Sequence, residues 1–408
     1  MFHAKRKLDL AAATVACLAA AAGSALAAEE PKAAPAPRAP KYLNREIFSL
    51  RNAKSRAALV GIPGGTTKEA EAAVEAGLAW LAKAQEPDGS WSARRWGGAE
   101  GVDTGITGLA LMAFLGAGYT HAEGPFKATV GKGLEWLKAK QDAKGSFGGR
   151  TFYEQGMATI AACEAFGLTQ DREVRPLAER AVLFICKEQP DHGGFRYQGG
   201  TTKEGSDLSV SGWQITAIVT GICAGIESVP PQAVERCRNL LRNAFRLDGS
   251  SAYVVGTGEG PGSPSMTAIG MLGRELLGGY YSEVEIRAGG FYLLEAGGRL
   301  ADLAGQVEPK APQSLYFAYY SCLAMFQLGG KAWERWSKLY REPLVRTQVT
   351  DEADPGGPFI RGSWNLNACA HGTAGGRPYT TAMAVLCLET PYRYKRLPMR
   401  TADQPNDF

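Results

Sequence analysis

The chain has 408 residues, 45% of them hydrophobic, and a formal net charge of +4 at pH 7. This is ample apolar material for a large core, and the near balance of charge gives no electrostatic reason to expect a nucleic-acid partner. After the first segment no apolar run approaches about 18 uncharged residues, so we expect no membrane-spanning helix in the mature chain.

Residues 1–27 have the features of a cleavable signal peptide. Three basic residues at positions 5–7 precede an apolar run over 10–22, and small residues flank Leu26 as at a signal-peptidase site. We therefore predict cleavage near Ala28 and a periplasmic or secreted mature protein. Cleavage removes three basic residues and one acidic residue, which lowers the formal net charge from +4 to +2.

The cysteines do not have the pattern of a disulfide framework or a structural zinc site. Seven of the eight follow the signal segment, most of them in apolar helical runs, and none belongs to a Cys-x-x-Cys pair. We predict buried free thiols and no metal or other cofactor. Cys17 could carry the lipid of a lipoprotein, but the residues before it form a poor lipidation motif, so ordinary cleavage is the stronger prediction.

The rest of the chain divides into three parts. Residues 28–67 contain the Pro/Ala-rich stretch "PKAAPAPRAP", which predicts an extended linker, followed by "NREIFSLRNAKSRAALV", which could form a short helix. Residues 68–390 form one repeat-containing domain, and residues 391–408 are assigned to a C-terminal tail.

From Lys68 onward the chain repeats a unit of two helices. The first helix of each unit is amphipathic, with Glu, Lys and Arg on one face, which is typical of an outer layer with one side in water. Its apolar positions are Val74, Leu78 and Leu81; Val130, Leu134 and Leu137; Leu177, Ala181 and Ile185; and Val234, Cys237 and Leu241.

A Gly-rich aromatic turn follows these helices, as in "QEPDGSW", "QDAKGSF", "EQPDHGGF" and "RLDGSSAY". We expect the glycine to end the outer helix in a left-handed conformation and the aromatic to pack on the neighbouring repeat. The aromatic side chains assigned to this structural role are Trp91, Phe147, Phe195, Tyr253 and Trp364.

The second helix of each unit, for example "DTGITGLALMAFLGAG", is apolar on nearly every face, which indicates burial all round. Patterns typical of strands are almost absent. Six outer and six inner helices predict an all-α fold, an α/α toroid around a central cavity, and an open solenoid is the alternative. The predicted inner helices begin near Asp103, Gln155, Asp207, Ser265, Gln313 and Thr380.

The Gln-x-x-x-Gly-Ser-Trp turn on this helical background resembles the repeat of the squalene cyclase, oxidosqualene cyclase and protein prenyltransferase β-subunit superfamily. The resemblance covers roughly residues 68–389. It implies a terpenoid cyclase-like toroid whose cavity holds a long apolar isoprenoid or, in some branches, a peptide or thioester. It supports the scaffold more than any one chemistry, because function resides in sites placed on folds.

The catalytic motifs that the resemblance implies are missing. No two aspartates are adjacent in this chain, so neither the Asp-x-Asp-Asp acid nor the Asp-Asp-x-x-Asp magnesium site is present in its usual form. The Asp-x-Cys of zinc-dependent prenyltransferases and the Cys-Gly-Glu-Gln thioester sequence are missing as well.

Asp103 and Asp207 are the candidate catalytic residues, because each lies where an inner helix begins beside the predicted cavity. Paired carboxylates there could act as general acid and base, as in glycosidases built on α/α barrels. The structural alternative, and the stronger one, is that each caps its helix by accepting hydrogen bonds from free amides.

Other candidates for the cavity are less specific. Cys369 and His371 lie in a Gly-rich loop before the last inner helix, and zinc binding there would need a third ligand such as Asp354 or His192, so a structural loop is the stronger interpretation. The aromatic residues that could line the cavity, with plain core packing as the alternative, are Trp213, Tyr316, Phe317, Tyr319 and Tyr320.

The leading functional hypothesis is a noncatalytic, extracytoplasmic repeat protein that binds an apolar isoprenoid-like ligand or a partner polypeptide. The second is an enzyme, either a divergent terpenoid cyclase that uses Asp103 or Asp207 or a polysaccharide-active toroid. The third is a scaffold for assembly with other envelope proteins, which large apolar patches on the outer helices would favour.

Overall fold

The computed structural model describes residues 40–199, 205–256, 262–278, 283–304, 314–350 and 359–397, which all belong to one compact unit, Pro37–Phe408. The predicted signal peptide, most of the linker and the end of the predicted tail lie outside the described residues. The prediction of an all-α fold is confirmed, since the described part contains one two-stranded sheet, in which Ser206–Asp207 pairs antiparallel with Val254–Val255. No helix in that part is both long enough and apolar enough to cross a membrane.

The helices alternate along the chain between two layers. Their bounds are α1 Ala53–Ala58, α2 Lys68–Ala84, α3 Asp103–Gly116, α4 Lys127–Lys140, α5 Phe152–Thr169, α6 Arg175–Glu188, α7 Leu208–Ala224, α8 Pro231–Ala244, α9 Pro264–Leu277, α10 Glu283–Ala304, α11 Leu315–Leu328, α12 Gly330–Thr347, α13 Gly372–Leu388 and α14 Thr390–Arg393. Short 3-10 helices cover Arg45–Phe48, Arg94–Trp96 and Leu366–Ala368.

The inner helices form a closed ring. Helix α3 packs on α5, α5 on α7, α7 on α9, α9 on α11 and α11 on α13, and α13 packs on α3. The even-numbered helices α2 to α12 form the outer layer, and α12 also contacts α2. The architecture is therefore a closed α/α toroid of six repeats rather than an open solenoid.

The burial of each layer follows the sequence pattern. In the outer helix α8, Val234, Cys237 and Leu241 are buried, while Arg242 at the next position is exposed. In the inner helix α7, every residue except Ile222 is buried. The thiols of the seven described cysteines are free and buried, as the sequence predicts.

The last inner helix departs most from its predicted start. The other inner helices begin within three residues of the predicted positions, but α13 begins at Gly372, eight residues before Thr380. The chain bends at Gly376, which has φ 70° and ψ −175°, and Pro378 follows. The continuous helix begins only after this bend, close to the predicted start.

The repeated turns end the outer helices differently from the sequence prediction. Helix α2 ends at Ala84, and Gln85 after it is extended, so no left-handed glycine terminates the helix. The left-handed residue is Gly89, with φ +97°, where an added Cβ would lie 2.3 Å from the Lys132 carbonyl oxygen of the next outer helix. The glycine is therefore required for close contact between repeats.

A buried cluster of charged residues lies near the C-terminal ends of α3, α5 and α13. Glu164 on α5 pairs with Arg51 and Arg393, each at 2.9 Å, and accepts a hydrogen bond from the Tyr394 hydroxyl, also at 2.9 Å. The segment before the repeats and the segment after them thus converge on one carboxylate. Residues 391–394, assigned to a tail from sequence, are buried in the toroid because their polar groups complete this cluster.

Candidate functional site

A cavity of about 530 Å³ lies on the axis of the toroid, at the end where the inner helices begin. Every inner helix contributes residues from its first turns to the wall, and the loops that carry Tyr197 and Tyr253 complete it. This position follows from ring closure, because six helix starts can surround one space only when the ring is complete. The inner helices contribute these lining residues among others, one from each helix in chain order: Ile106, Tyr153, Ser209, Met266, Tyr316 and Tyr379.

The wall combines apolar side chains with hydroxyl groups. Ile106, Leu109 and Met157 belong to its apolar part. Among the described lining residues the ionisable groups besides tyrosine are Glu154 and His371, and none of these residues is a lysine or arginine. A space of this kind is typical of sites that hold a mostly apolar small molecule by a few polar groups. The hydroxyl-bearing residues are Thr151, Tyr153, Tyr197, Ser209, Tyr253, Ser263, Ser265, Ser314, Tyr316 and Tyr379.

Asp207 lies directly behind this wall and organises part of it. It is the N-cap of α7, and its Oδ1 accepts from the Ser209 amide at 2.8 Å, the Ser209 hydroxyl at 2.5 Å and the Val210 amide at 3.4 Å. Its Oδ2 accepts from the Tyr253 hydroxyl at 2.8 Å. The short sheet places Tyr253 there, because Asp207 pairs with Val254.

Two more tyrosines join the same group. The Tyr153 hydroxyl lies 2.5 Å from the Ser209 hydroxyl, and the Tyr316 hydroxyl donates to the Ser209 carbonyl oxygen at 2.8 Å. The Tyr197 and Tyr253 hydroxyls are 3.3 Å apart. We call these residues the Asp207 cluster: Tyr153, Tyr197, Asp207, Ser209, Tyr253 and Tyr316.

Asp103 has a different role from Asp207. Its Oδ1 accepts from the Ala93 amide at 2.9 Å, so it holds the preceding turn, and the N-cap of α3 is Val102. Burial raises the pKa of Asp103 above its usual range, although the Ala93 amide opposes this. The interpretation of both aspartates as N-caps therefore holds for Asp207 only. Neither residue lines the cavity, and α5 lies between their helices in the ring.

Glu154 is the carboxyl group that sequence reasoning missed. It lines the cavity from the first turn of α5, where its Oε1 accepts from the amides of Arg150 and Thr151 at 2.9 and 3.2 Å. Its Oε2 is buried and has no hydrogen-bond partner in the described part of the chain, and burial raises the pKa of Glu154 against the effect of those amides. The capping-box pattern Thr-x-x-Glu at 151–154 was the available signal for its position.

Most of the predicted aromatic wall lies deeper than the cavity. Trp213, Tyr319 and Tyr320 are buried in the core and are not among the lining residues. Trp213 stacks on Tyr319 with ring centroids 5.4 Å apart and an interplanar angle of 10°. The reason is helical geometry, since Tyr319 and Tyr320 begin the next turn of α11 after Tyr316 and therefore lie farther from the open end.

The loop before α13 contributes one of its two candidate residues to the cavity wall. His371 is exposed and lines the cavity, with its ring 6.2 Å from that of Tyr316, whereas Cys369 is buried and does not line it. His192 is in hydrogen-bond contact with the Ser206 hydroxyl at 2.9 Å. The described residues contain no group of three or more His, Cys, Asp or Glu that could hold a metal ion, and Asp354 lies outside them.

Tyr253 was assigned to structural packing in the fourth turn, and its position corrects that assignment. The Ser251 amide donates to the Thr267 hydroxyl at 3.0 Å, as the Trp91 amide donates to the Thr107 hydroxyl at 3.1 Å in the first turn. Ser251 thus occupies the aromatic position of the repeat. Tyr253, two residues later, is 40% exposed and lines the cavity.

Solved structures of proteins with different activities are similar to the structure of this chain. An α-1,6-mannanase from Salegentibacter sp. matches with a TM-score of 0.53 at 11% identity, covering 79% of this chain and 99% of that one. The type II terpene cyclase MstE from Scytonema, bound to geranylgeranyl dihydroxybenzoate, matches with a TM-score of 0.51 at 15% identity, covering 79% and 97%. The chain has the α/α toroid fold of these structures, which is the fold that the resemblance to terpenoid cyclases implies.

An α-amylase from Clostridium perfringens has the same fold, with a TM-score of 0.54 at 10% identity over 78% of this chain and 97% of that one. No protein-family model and no curated protein matches the chain. At these sequence identities the comparison establishes the toroid fold, and the chemistry of the protein has to be argued from the residues of the site.

Proposed function

We propose that the protein binds an apolar, isoprenoid-like ligand in the axial cavity. The observation that carries this proposal is a cavity of about 530 Å³ to which all six inner helices contribute. Ile106, Leu109 and Met157 would contact the apolar body of the ligand, and the hydroxyl groups would hold its polar end. The cyclase MstE supports a ligand with an apolar body and a polar end, because its substrate joins a geranylgeranyl chain to a polar ring.

The test is native mass spectrometry with lipid extraction on the mature protein purified from its own envelope. Ala374 lines the cavity, so Ala374→Trp should fill it and abolish retention of a co-purifying lipid. Ala139→Trp, at an exposed position on the outer helix α4, is the matched control and should retain the lipid. Equal retention by both variants, or repeated isolation without any lipid, would contradict the proposal.

A second candidate function is acid catalysis, and Glu154 is the observation that favours it. A carboxyl group whose pKa burial raises keeps its proton to higher pH, as a general acid requires. Glu154→Gln preserves the capping box and should abolish turnover of a recovered ligand with the fold intact. Asp207→Asn is the corresponding test of the carboxylate chosen from sequence, and unchanged turnover in either variant removes that residue from the mechanism.

The proposed location of this site is outside the cytoplasm, on the pattern of residues 1–27. Mass spectrometry of the intact mature chain should give an N-terminus near Ala28. A chain that keeps residues 1–27, or a lipid on Cys17, would contradict this placement.

A further inference from the structure

The hydrogen-bond directions within the Asp207 cluster can be assigned outward from the Asp207 carboxyl group. The amides of Ser209 and Val210 can only donate, so Oδ1 of Asp207 is an acceptor. The Ser209 hydroxyl also donates to Oδ1, and the Tyr253 hydroxyl donates to Oδ2. One carboxyl group, 2% exposed, thus takes the protons of two hydroxyls.

The donor in each remaining hydroxyl contact of the cluster follows from this, because each hydroxyl has a single proton. The Ser209 proton is used on Asp207, so in the contact with Tyr153 the tyrosine is the donor. The Tyr253 proton is used in the same way, so Tyr197 donates in their contact. Tyr316 gives its proton to the Ser209 carbonyl oxygen.

As a result, this side of the cavity offers acceptors rather than donors. Tyr153, Tyr197, Tyr253 and Tyr316 line the cavity, and each directs its hydroxyl proton to another atom of the cluster, which leaves lone pairs on the phenol oxygens. Among the described residues, the hydrogen bonds to Asp207 come from two amides and two hydroxyls, which are uncharged donors. A buried carboxyl group is stabilised by a nearby cation.

We propose that the Asp207 cluster is a subsite for a primary ammonium head group. This inference rests on the proposed function, and it adds the chemistry of the ligand's polar end. An ammonium group has three donors, no acceptor and a positive charge. It therefore complements four phenol oxygens at the cavity wall with the Asp207 carboxyl group behind them. Phenol rings at a cavity wall add attraction for a cation over their faces.

The probes are four compounds with the same ten-carbon chain and different head groups: decylammonium, decyltrimethylammonium, decanol and decanoate. Binding to the full mature chain is measured by isothermal titration calorimetry below the micelle concentrations. We expect decylammonium to bind about tenfold or more tightly than decyltrimethylammonium, which has the charge but no N–H donor. Decanoate should bind most weakly.

Asp207→Asn reverses the polarity of the cluster while keeping the helix cap. Oδ1 of Asn would still accept from the Ser209 amide, and Asn is as good an N-cap as Asp. Its amide nitrogen would then donate to Tyr253, whose proton would turn toward the cavity. The preference for decylammonium over decanoate should fall by about tenfold or more.

The matched control is Asp248→Asn. Asp248 accepts from the amide and hydroxyl of Ser250 at 3.0 and 2.7 Å, the same Asp-x-Ser geometry, in a turn that does not line the cavity. This variant should keep the preference of the parent protein. If Asp207→Asn does not fold, Tyr253→Phe is the second variant, and it should weaken decylammonium about tenfold and leave decyltrimethylammonium unchanged.

The outcomes separate the inference from the proposed function. Equal binding of all four probes, blocked by Ala374→Trp, keeps the cavity as the binding site and overturns the ammonium subsite. An unchanged preference in Asp207→Asn, or in Tyr253→Phe where that variant is used, also overturns the subsite. Binding of none of the probes, or binding unaffected by Ala374→Trp, overturns the proposed function and the inference with it.

Discussion

The side-chain amide of Gln348 donates to the main-chain carbonyl of Ala73 at 2.8 Å, joining the last turn of the toroid to its first outer helix. Gln85 makes the same bond to Thr129 at 2.9 Å, one repeat onward along the chain. The junction that closes the ring is thus built like an internal junction between repeats. The other bonds of this set are Gln141 to Leu177 and Gln189 to Ala233.

Gln348→Ala should lower the free energy of unfolding about as much as Gln85→Ala, by about 1–3 kcal/mol, because each variant removes two hydrogen bonds from a side-chain amide to main-chain carbonyl oxygens. Gln348 also donates to the Gly362 carbonyl and Gln85 to the Gly89 carbonyl, each at 2.9 Å, so the two variants are matched. Urea unfolding measures both. A Gln348→Ala variant as stable as the parent would mean that the ring is open in solution.

Gly89→Ala should destabilise the protein more than Gly225→Ala. Both glycines have left-handed backbones, with φ +97° and +92°, which costs an L-residue about 1–2 kcal/mol. A Cβ at Gly225 meets nothing within 4 Å, whereas at Gly89 it would lie 2.3 Å from the Lys132 carbonyl oxygen. We expect an additional loss of about 1–3 kcal/mol at Gly89 in thermal or urea unfolding. Equal losses would show that the turn does not contact the next repeat.

Glu164→Gln should destabilise the protein at pH 7 and Glu389→Gln should not, although both glutamates are buried near Arg393. Glu164 accepts hydrogen bonds from two arginines and Tyr394, and breaking such a buried pair costs about 3–5 kcal/mol. Neither oxygen of Glu389 has a hydrogen-bond partner among the described residues, and Arg393 Nη1 lies 3.5 Å from its Oε2. Burial raises the pKa of Glu389 against the effect of Arg393. Glu389→Gln should therefore leave the free energy of unfolding unchanged or raise it, and a large loss would contradict this assignment.

The stability contribution of Glu164 should be lost in acid. Burial alone would raise the pKa of Glu164, but Arg393 and Arg51 outweigh it and hold the pKa below its usual range. A folded-state pKa below the unfolded value gives stability that is present above the unfolded pKa and lost as pH falls through the folded pKa. The gap in unfolding free energy between the parent and Glu164→Gln should shrink as pH falls from 7 to 3. A constant gap would contradict an ionised Glu164.

Asp103→Ala should destabilise the first turn, whereas Asp103→Asn should be tolerated. Asn keeps an oxygen for the Ala93 amide, and it removes a charge whose burial raises the pKa of Asp103. Ala leaves that amide without its acceptor, at a loss of about 1–3 kcal/mol in unfolding free energy. If Asp103→Asn were as destabilised as Asp103→Ala, the ionised carboxylate rather than its oxygen would hold the turn.

The repeat architecture could be predicted from the sequence because its signals are local. Amphipathic periodicity in α8 and uniform apolarity in α7 follow from whether one face or all faces of a helix leave water. Tyr253 was misplaced because turn composition does not reveal which residue of "RLDGSSAY" takes the aromatic position. The backbone register of Ser251 decides that, and the register depends on contacts with α9.

The amino-acid sequence was sufficient to predict an all-α chain of six two-helix repeats that lacks the catalytic motifs of the families it resembles. Three features became visible only in the folded protein: the ring is closed, Arg51 and Arg393 share Glu164, and Tyr153, Asp207, Tyr253 and Tyr316 form one cluster. The physical reason is the distance along the chain between the residues that interact. A helix and its face depend on neighbours three or four residues apart, whereas the cluster gathers residues from separate repeats, up to 163 positions apart from Tyr153 to Tyr316, which only ring closure brings to a common axis.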